Sequence, residues 1–168
     1  MKKVLVAYAS RYGSTAEIGH AIAARLCERG EAVDACSIDE VKDLSLYDAV
    51  VVGSAVRMGS WLPAAVRFVA EHKEALRKVP TAFYTVHILA LGANEESKKT
   101  RVAYLDAVRS IVMPQHEAFF PGKLDPKQLN LLDRVMAKAV QSPEGDLRNW
   151  QEIWNWADEI FQKEEVLR

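Results

Sequence analysis

Cysteine is scarce in this chain, which has only Cys27 and Cys36 among its 168 residues. The two form no C-x-x-C pair and have no histidine close by, so the sequence supports neither a zinc site nor dithiol chemistry. Because free cysteine is readily buried as a small apolar side chain, we expect both to be structural thiols. The sequence predicts no metal centre.

The chain also lacks an excess of charge and long apolar runs. Its 22 Lys and Arg residues against 23 Asp and Glu give a formal net charge of -1, so no basic excess indicates nucleic-acid binding. No apolar run approaches a membrane span, and the run after Lys3 is too short for a signal peptide. We therefore expect a cytoplasmic protein. The length and the 49% hydrophobic content predict a single domain over residues 1–168.

Several motifs of other α/β proteins are missing. The chain has neither G-x-x-x-x-G-K-[ST] nor G-x-G-x-x-G, which excludes a P-loop nucleoside triphosphatase and a dinucleotide-binding Rossmann domain. The absence of G-x-S-x-G argues against a hydrolase with a nucleophile elbow. Ser10 and Ser54 stand at the ends of the first and third apolar strands, where a phosphoacceptor receiver domain needs carboxylates to bind a divalent metal.

Short apolar strands alternate with helical patterns along the chain. Strands are predicted at residues 4–8, 32–38, 49–54 and 81–87, with a weaker one at 117–120. Continuous Val and Ala runs indicate burial on both faces, and the intervening helices imply right-handed parallel crossovers. The sequence therefore predicts a doubly wound α/β sandwich with a five-stranded parallel sheet in the order 2-1-3-4-5. A ligand is expected at the carboxyl ends of strands 1, 3 and 4.

Apolar side chains at helical spacing predict five helices between and after these strands. We expect the apolar stripe of the fourth helix to face the core, the alternative being contact with a membrane. The last helix is expected to turn one apolar face inward, with Trp156 outside that face as a mark of self-association. The five stripes are Ile18, Ile22 and Leu26, ended by Gly30; Leu62, Val66, Val69 and Ala70; Tyr104, Ala107, Val108 and Ile111, ended by Pro114; Leu132, Val135, Met136, Ala139 and Val140; and Trp150, Ile153, Trp154, Ala157, Ile160 and Phe161.

Residues 4–15 are the most informative stretch, because an apolar strand ends at Ser10, turns through Gly13 and enters a helix at Thr15. Unpaired backbone N–H groups and the positive end of the helix dipole make such a helix start an anion site. Hydroxyl side chains add donors, and Gly13 permits a positive φ or a close approach of ligand. The sequence predicts a phosphate cradle. The alternative is a capping box, in which Ser14 caps the helix and Glu17 reaches back.

Two further loops are expected at the same edge of the sheet. In residues 54–61, Trp61 would cover the face of a flat ring and Arg57 would balance negative charge on it when reduced. The alternative is that Trp61 staples the next helix and Arg57 is a solvated cation. In residues 85–94, His87 would donate to the ring or titrate near neutral pH, or else make an ordinary loop contact.

At these residues the sequence resembles the flavodoxin family, whose hydroxyl-rich T-x-T-G-x-T-like phosphate loop is matched at Ser10, Gly13 and Thr15. The resemblance covers nearly the whole chain. It implies a flavodoxin-like fold that binds FMN, with the phosphate on residues 10–15 and the ring between residues 54–61 and 85–94. The candidate catalytic residues are Arg57 and His87. The residues expected to bind the cofactor are Ser10, Arg11, Tyr12, Gly13, Ser14, Thr15, Ser54, Ala55, Val56, Arg57, Met58, Gly59, Trp61, Thr85, Val86, His87 and Gly92.

Within that family the chain is similar to the branch of menaquinone-dependent protoporphyrinogen IX dehydrogenases, at residues 53–59, 80–86, 132–138 and 149–152. This resemblance implies an oxidoreductase of heme biosynthesis that oxidises a porphyrinogen and passes electrons to a quinone. The alternative is a soluble electron-transfer flavodoxin that serves redox partner proteins. The basic, aromatic insertion of the branch is reduced here to a short segment within residues 121–146. We therefore expect membrane contact to be at most peripheral, at the inner membrane face. The sequence leaves open whether the chain forms a homo-oligomer.

Overall fold

A computed structural model describes residues 1–162, and positions 163–168 of the predicted domain lie outside the described part. The main sheet runs in the order β2-β1-β3-β5-β6, with all neighbours parallel. This confirms the predicted 2-1-3-4-5 order, because β4 is a short antiparallel addition to β3. A separate ribbon pairs β7 with β8. The strands are β1 (Lys3–Ala9), β2 (Ala32–Ser37), β3 (Ala49–Arg57), β4 (Ser60–Trp61), β5 (Thr81–His87), β6 (His116–Pro121), β7 (Lys123–Leu124) and β8 (Gly145–Asp146).

Helices follow most of these strands and cover both faces of the main sheet. A single turn of 3-10 helix, Ile38–Glu40, follows β2. The α-helices are α1 (Ser14–Glu28), α2 (Pro63–Glu71), α3 (Lys73–Leu76), α4 (Glu95–Ala103), α5 (Asp106–Arg109), α6 (Leu131–Ala139) and α7 (Trp150–Glu159).

The central strands are buried on both faces, as their Val and Ala runs predict. Successive residues of a strand point to opposite faces of the sheet. Val4 and Val6 therefore pack into the core beneath α1 and α7, whereas Leu5 and Ala7 pack into the core beneath α2 and α5. With both faces covered, the loops at the carboxyl ends of the strands are the natural place for a ligand.

Tyr84 reaches from β5 to the start of α1, and two glycines make room for it. A Cβ on Gly53 would lie 1.9 Å from the Tyr84 ring, and one on Gly19 would lie 2.7 Å from its hydroxyl oxygen. The hydroxyl donates to the Thr15 carbonyl oxygen at 3.0 Å. Burial raises the pKa of Tyr84, so the hydroxyl stays protonated and able to donate. The start of α1 is thereby fastened to the middle of the sheet.

The predicted third helix, with its stripe from Tyr104 to Ile111, is shorter in the structure, where only α5 lies within the stripe. The sequence pattern does not predict α4, so this part of the chain holds two helices. The first of them ends in tightened i to i-3 hydrogen bonds, from the Tyr104 N–H to the Arg101 carbonyl and from the Leu105 N–H to the Val102 carbonyl. This turn lets Tyr104 and Leu105 both be buried before α5 begins. The spacing alone did not indicate the break.

The apolar stripe of α6 does not face the core, so that prediction is wrong. Leu132 and Val135 are 61% and 56% exposed, and no residue of α6 is buried. The helix follows β7 in the chain, and no element among residues 1–162 buries its apolar side. An amphipathic pattern shows that a helix has an apolar side, and it does not show what that side contacts.

The tryptophans of α7 are arranged differently from the prediction. Trp154 is exposed, whereas Trp156 packs against Phe120 and Tyr84 with ring centroids 5.7 and 6.4 Å apart. Trp156 lies three residues after Ile153 and therefore shares its inward side. The self-association surface proposed at Trp156 is wrong.

The two thiols also differ in their surroundings. Cys27 is exposed, which contradicts its expected burial, and Cys36 is half-buried. Burial and the nearby carboxylates of Glu40 and Asp34 raise the pKa of Cys36, which disfavours the reactive thiolate.

Candidate functional site

A cavity of about 500 Å³ lies at the carboxyl ends of β1, β3 and β5. Its size falls within the range of roughly 300–1,000 Å³ that small-molecule sites occupy. The loops after these strands form part of its wall, and the segment after β6 forms the rest. The lining residues that the sequence predicted are Ser10, Arg11, Tyr12, Ser14, Thr15, Ala55, Val56, Arg57, Met58, Gly59 and Val86.

The loop after β1 has the geometry of an anion site. Gly13 is the N-cap of α1 with a φ of 93°, and its N–H donates to Ser10 Oγ at 3.1 Å. The first N–H groups of an α-helix have no partner within the helix. In α1 they also receive no side-chain cap from residues 1–162. Gly13 forms the turn of this loop without lining the cavity, whereas Ser10, Ser14 and Thr15 line it.

The capping box that served as the alternative does not form. Ser14 is the first residue of α1, and its Oγ accepts the Lys123 N–H at 3.1 Å. Glu17 pairs with Arg148 across the cavity edge. The hydroxyl and the carboxylate thus connect α1 to the segment after β6, and the helix start stays open to a ligand.

The loop after β3 is a tight hairpin at the rim of the cavity. Met58 and Gly59 both have positive φ, 53° and 76°, the backbone form that two-residue hairpin turns require. The turn presents the exposed Met58 side chain at the rim. Arg57 Nη2 donates to Asp133 Oδ1 at 2.9 Å, while its Nε is buried with no hydrogen-bond partner among residues 1–162. Arg57 is therefore not the freely solvated cation of the alternative interpretation.

Ser54, Trp61 and Thr85 do not line the cavity, which corrects their assignment as ring contacts. Trp61 is 2% exposed, packs on Phe83 and donates from Nε1 to Thr85 Oγ1 at 2.8 Å. Ser54 Oγ accepts the Leu62 N–H at 3.1 Å. Trp61 and Thr85 thus bond to each other and Ser54 bonds to backbone groups, and a buried indole is not available to stack on a ring.

His87 and Gly92 also lie away from the cavity lining. The His87 ring is buried near Tyr104, with Nδ1 2.8 Å from the Leu89 carbonyl oxygen, and its Nε2 has no partner among residues 1–162. Burial lowers the pKa of His87, and the Arg101 charge adds to this while the Leu89 hydrogen bond opposes it. Gly92 is exposed, and its carbonyl accepts from Arg101. The neighbours Ile88 and Leu89 line the cavity instead.

The segment after β6 forms a wall of the cavity that no sequence motif predicts. In the order β3-β5-β6, the carboxyl end of β6 lies beside that of β5, so the topology alone indicates that this segment reaches the same edge. The lining residues it contributes are Gly122, Lys123, Leu124, Asp125, Gln128, Leu129, Asp133, Met136, Ala137, Val140 and Ser142.

The arrangement suits a phosphorylated, flat and partly apolar ligand. One end offers a helix start with serine and threonine hydroxyls, which bind phosphate. The remainder is walled by apolar side chains such as Val56, Leu62 and Leu89. The unpartnered Arg57 Nε–H is a donor that such a ligand would satisfy, since buried donors are rarely left unpaired. The residues present therefore fit a flavin nucleotide.

Comparison with known proteins agrees with this geometry. The family model described as "Flavodoxin domain" matches residues 5–149. The protoporphyrinogen IX dehydrogenase (quinone) of Escherichia coli strain K12 is 29% identical over 170 residues, which cover 94% of each chain. The protein of the same name from Leishmania major is 28% identical over 151 residues, covering 85% of this chain and 64% of that one.

Among solved structures, a Fusobacterium nucleatum flavodoxin bound to flavin mononucleotide matches with a TM-score of 0.58 and 13% identity. The match covers 95% of this chain and 97% of that one. The TM-score shows a shared fold, and at this low identity the match shows the fold alone. Within residues 1–162, no helix combines the length and the apolar character needed to span a bilayer.

Proposed function

The chain belongs to the flavodoxin domain family, and from this premise we propose that it binds FMN and oxidises a porphyrinogen, passing the electrons to a quinone. The observation that carries the proposal is the open start of α1 beside an apolar cavity, which matches a phosphate joined to a flat ring. The Escherichia coli relative supplies the substrate class, since it is a protoporphyrinogen IX dehydrogenase (quinone) by name.

Residues 10–15 would hold the phosphate of FMN. Ser10, Ser14 and Thr15 bring hydroxyls to the cavity, and the N–H groups of the first turn of α1 add backbone donors. The Tyr84 hydroxyl holds the Thr15 carbonyl and so fixes the position of this turn. Because these donors are in place before the ligand arrives, binding loses little free energy to reorganisation.

The flavin ring would lie toward the hairpin after β3. Ala55 and Val56 form one wall and Val86 and Leu89 another, while Arg57 offers its Nε–H as a hydrogen-bond donor. The exposed Met58 at the rim can pack against a flat apolar partner, because thioethers adapt to irregular aromatic surfaces. A quinone ring is a partner of this kind, and so is each pyrrole ring of a porphyrinogen, although methylene bridges keep the whole macrocycle from being flat.

Bound FMN supplies the redox chemistry, and this chain supplies binding, orientation and electrostatics. Each pair of electrons removed from the porphyrinogen, together with two protons, reduces one quinone to a quinol, so three quinones are consumed for each porphyrin formed. The Arg57 guanidinium is the candidate catalytic group, because it lies in the cavity wall and carries positive charge. His87 is not placed to touch a reactant, so we propose no catalytic role for it.

A two-stage experiment tests the proposal. Purified protein freed of cofactor is titrated with FMN, and quenching of flavin fluorescence reports binding. The loaded protein is then mixed with protoporphyrinogen and a menaquinone analogue without oxygen, and porphyrin fluorescence reports turnover. Failure to bind FMN would overturn the whole proposal. FMN binding without porphyrin formation would overturn the substrate and indicate an electron-transfer flavodoxin serving redox proteins.

We also propose that the family domain is one folding unit, because both of its cores pack against the same sheet. We propose a cytoplasmic location with at most peripheral membrane contact, supported by the balanced charge of the chain.

A further inference from the structure

Asp133 joins parts of the cavity wall that are far apart in sequence. Its Oδ2 accepts from Arg11 Nε at 2.6 Å and from the Tyr12 hydroxyl, and its Oδ1 accepts from Arg57 Nη2 at 2.9 Å. Arg11 and Tyr12 belong to the phosphate loop, Arg57 ends β3, and Asp133 lies in the first turn of α6. One carboxylate therefore connects the two ends of the cavity to the helix beside it.

The surroundings of Asp133 favour its charged form. The side chain is 11% exposed, so burial opposes ionisation. Hydrogen bonds from Tyr12 and Arg11 and the charges of Arg11 and Arg57 outweigh that effect, and the pKa of Asp133 is lowered. Two guanidinium groups share this single carboxylate, so the cluster keeps a net positive charge beside the cavity.

Other contacts of α6 are local or peripheral. Asn130 caps the helix by accepting the Asp133 N–H at 2.8 Å, and Arg134 donates to the Pro126 and Leu129 carbonyls just before the helix. No residue of α6 is buried. Met136 and Ala137 of α6 nevertheless line the cavity, so the position of the helix shapes the site. Within residues 1–162, the polar contacts of Asp133, together with the Asn130 N–H that donates to the Tyr12 hydroxyl at 3.5 Å, tie α6 to β3 and the phosphate loop.

We propose that Asp133 is a positioning residue of the cofactor site, which holds Arg57 in the cavity wall and keeps α6 against the cavity. This inference rests on the proposed binding of FMN. Two measurable effects of Asp133 follow. By holding α6 in place, the carboxylate slows FMN release. By pairing with Arg57, it reduces the positive charge that acts on the bound ring. A carboxylate with a purely structural role would produce neither effect.

Asp133→Asn in the full chain tests this assignment. Glu117→Gln is the matched control, because Glu117 accepts two hydrogen bonds from Arg109 at 2.8 Å and lies outside the cavity lining. Asp133→Asn is expected to speed FMN release about tenfold, the loss typical of a charge-assisted hydrogen bond. It is also expected to shift the flavin midpoint potential to a more positive value, because a negative charge is removed and Arg57 is no longer neutralised. Glu117→Gln should change neither quantity.

A double-mutant cycle with Arg57→Gln identifies the route of the effect. If Asp133 acts through Arg57, the potential shift caused by Asp133→Asn shrinks when Arg57 is already Gln. Additive shifts would overturn the route through Arg57, and FMN release and potential unchanged in Asp133→Asn would overturn the proposal as a whole. If Asp133→Asn fails to fold, Asp133→Glu is the second variant. Because it keeps the negative charge, its midpoint potential should stay close to the wild-type value. Wild-type protein that binds no FMN would instead defeat the proposed function.

Discussion

Gly13 shows how one backbone conformation creates a site. Its φ of 93° is disfavoured for any side chain, although a Cβ there would have no atom within 4 Å. Gly30 offers the same conditions, with a φ of 94° and open space, at the end of α1 away from the cavity. The two glycines differ in their position relative to the helix start that would bind phosphate.

We expect Gly13→Val and Gly30→Val to lose similar folding stability, roughly 1–3 kcal/mol, because both force a branched residue into the left-handed region. Only Gly13→Val is expected to weaken FMN binding by about tenfold or more, since it disturbs the first turn of α1. Denaturant unfolding and fluorescence titration measure the two effects. Wild-type FMN affinity in Gly13→Val would contradict the phosphate site.

Arg57 is the residue through which the protein would set the potential of the cofactor. A nearby cation stabilises the extra negative charge of the reduced ring, so Arg57→Gln should shift the midpoint to a more negative value, by roughly tens of millivolts. The shift is limited because Asp133 already neutralises part of the Arg57 charge. Arg109→Gln, which removes a cation outside the cavity lining, serves as the control. An unchanged midpoint in Arg57→Gln would show that its charge does not act on the ring.

Among the secondary-structure elements, α6 and α7 have similar amphipathic sequences and different energetic roles. Leu132 of α6 is mostly exposed, whereas Ile153 of α7 is fully buried in the core beneath α1. Ile153→Ala is expected to cost about 2–5 kcal/mol, because it removes buried methyl groups and leaves a cavity. Leu132→Ala is expected to change the free energy of unfolding by less than about 0.5 kcal/mol. Urea unfolding of both variants measures the difference, and a large loss in Leu132→Ala would indicate that another surface covers α6.

The strands were predictable because burial on both faces leaves a distinctive sequence. Residues 81–87 match β5, and the order of the sheet is the one common among five-stranded doubly wound folds. The surroundings of each helix were harder to predict, because periodicity shows which side of a helix is apolar but not which element packs against that side. For that reason the sequence predicts α6 against the core. It also predicts Trp154 inward and Trp156 outward, the reverse of what the structure shows.

The candidate site, like the fold, has parts that the sequence predicts and parts that it does not. The turn between β1 and α1 follows from local chemistry, because a strand, a glycine and a hydroxyl-rich helix start are adjacent in sequence, and phosphate binding there stays a prediction. Trp61 was assigned to the ring because it follows the right strand, but β4 turns it back beneath the loop to bond with Thr85. Asp133 was missed because its partners Arg11 and Arg57 are over 70 residues away in sequence, as the separations of 122 and 76 show.

For the whole molecule, the buried His87 and the half-buried His116 link stability to pH. Burial lowers the pKa of His87 and of His116, so both favour the neutral form in the folded protein. An unfolded chain binds protons at these positions near a pKa of about 6.5. At pH values between about 6.5 and the lower pKa of the folded state, the unfolded chain holds more protons than the folded protein. The free energy of unfolding therefore rises with pH in this range and decreases as the pH falls below about 6.5.

We therefore expect the free energy of unfolding to decrease from pH 7 to pH 5, and His87→Asn to reduce that decrease. Carboxylates contribute little in this window, because the pKa values of Asp34, Asp133 and Asp146 are lowered, that of Asp146 to about 2, and these groups stay ionised at pH 5. His20→Asn, at an exposed position, controls for the introduced amide. Urea unfolding at several pH values measures the slope. An equal slope in wild type and His87→Asn would mean that the buried imidazole accepts a proton without loss of the fold.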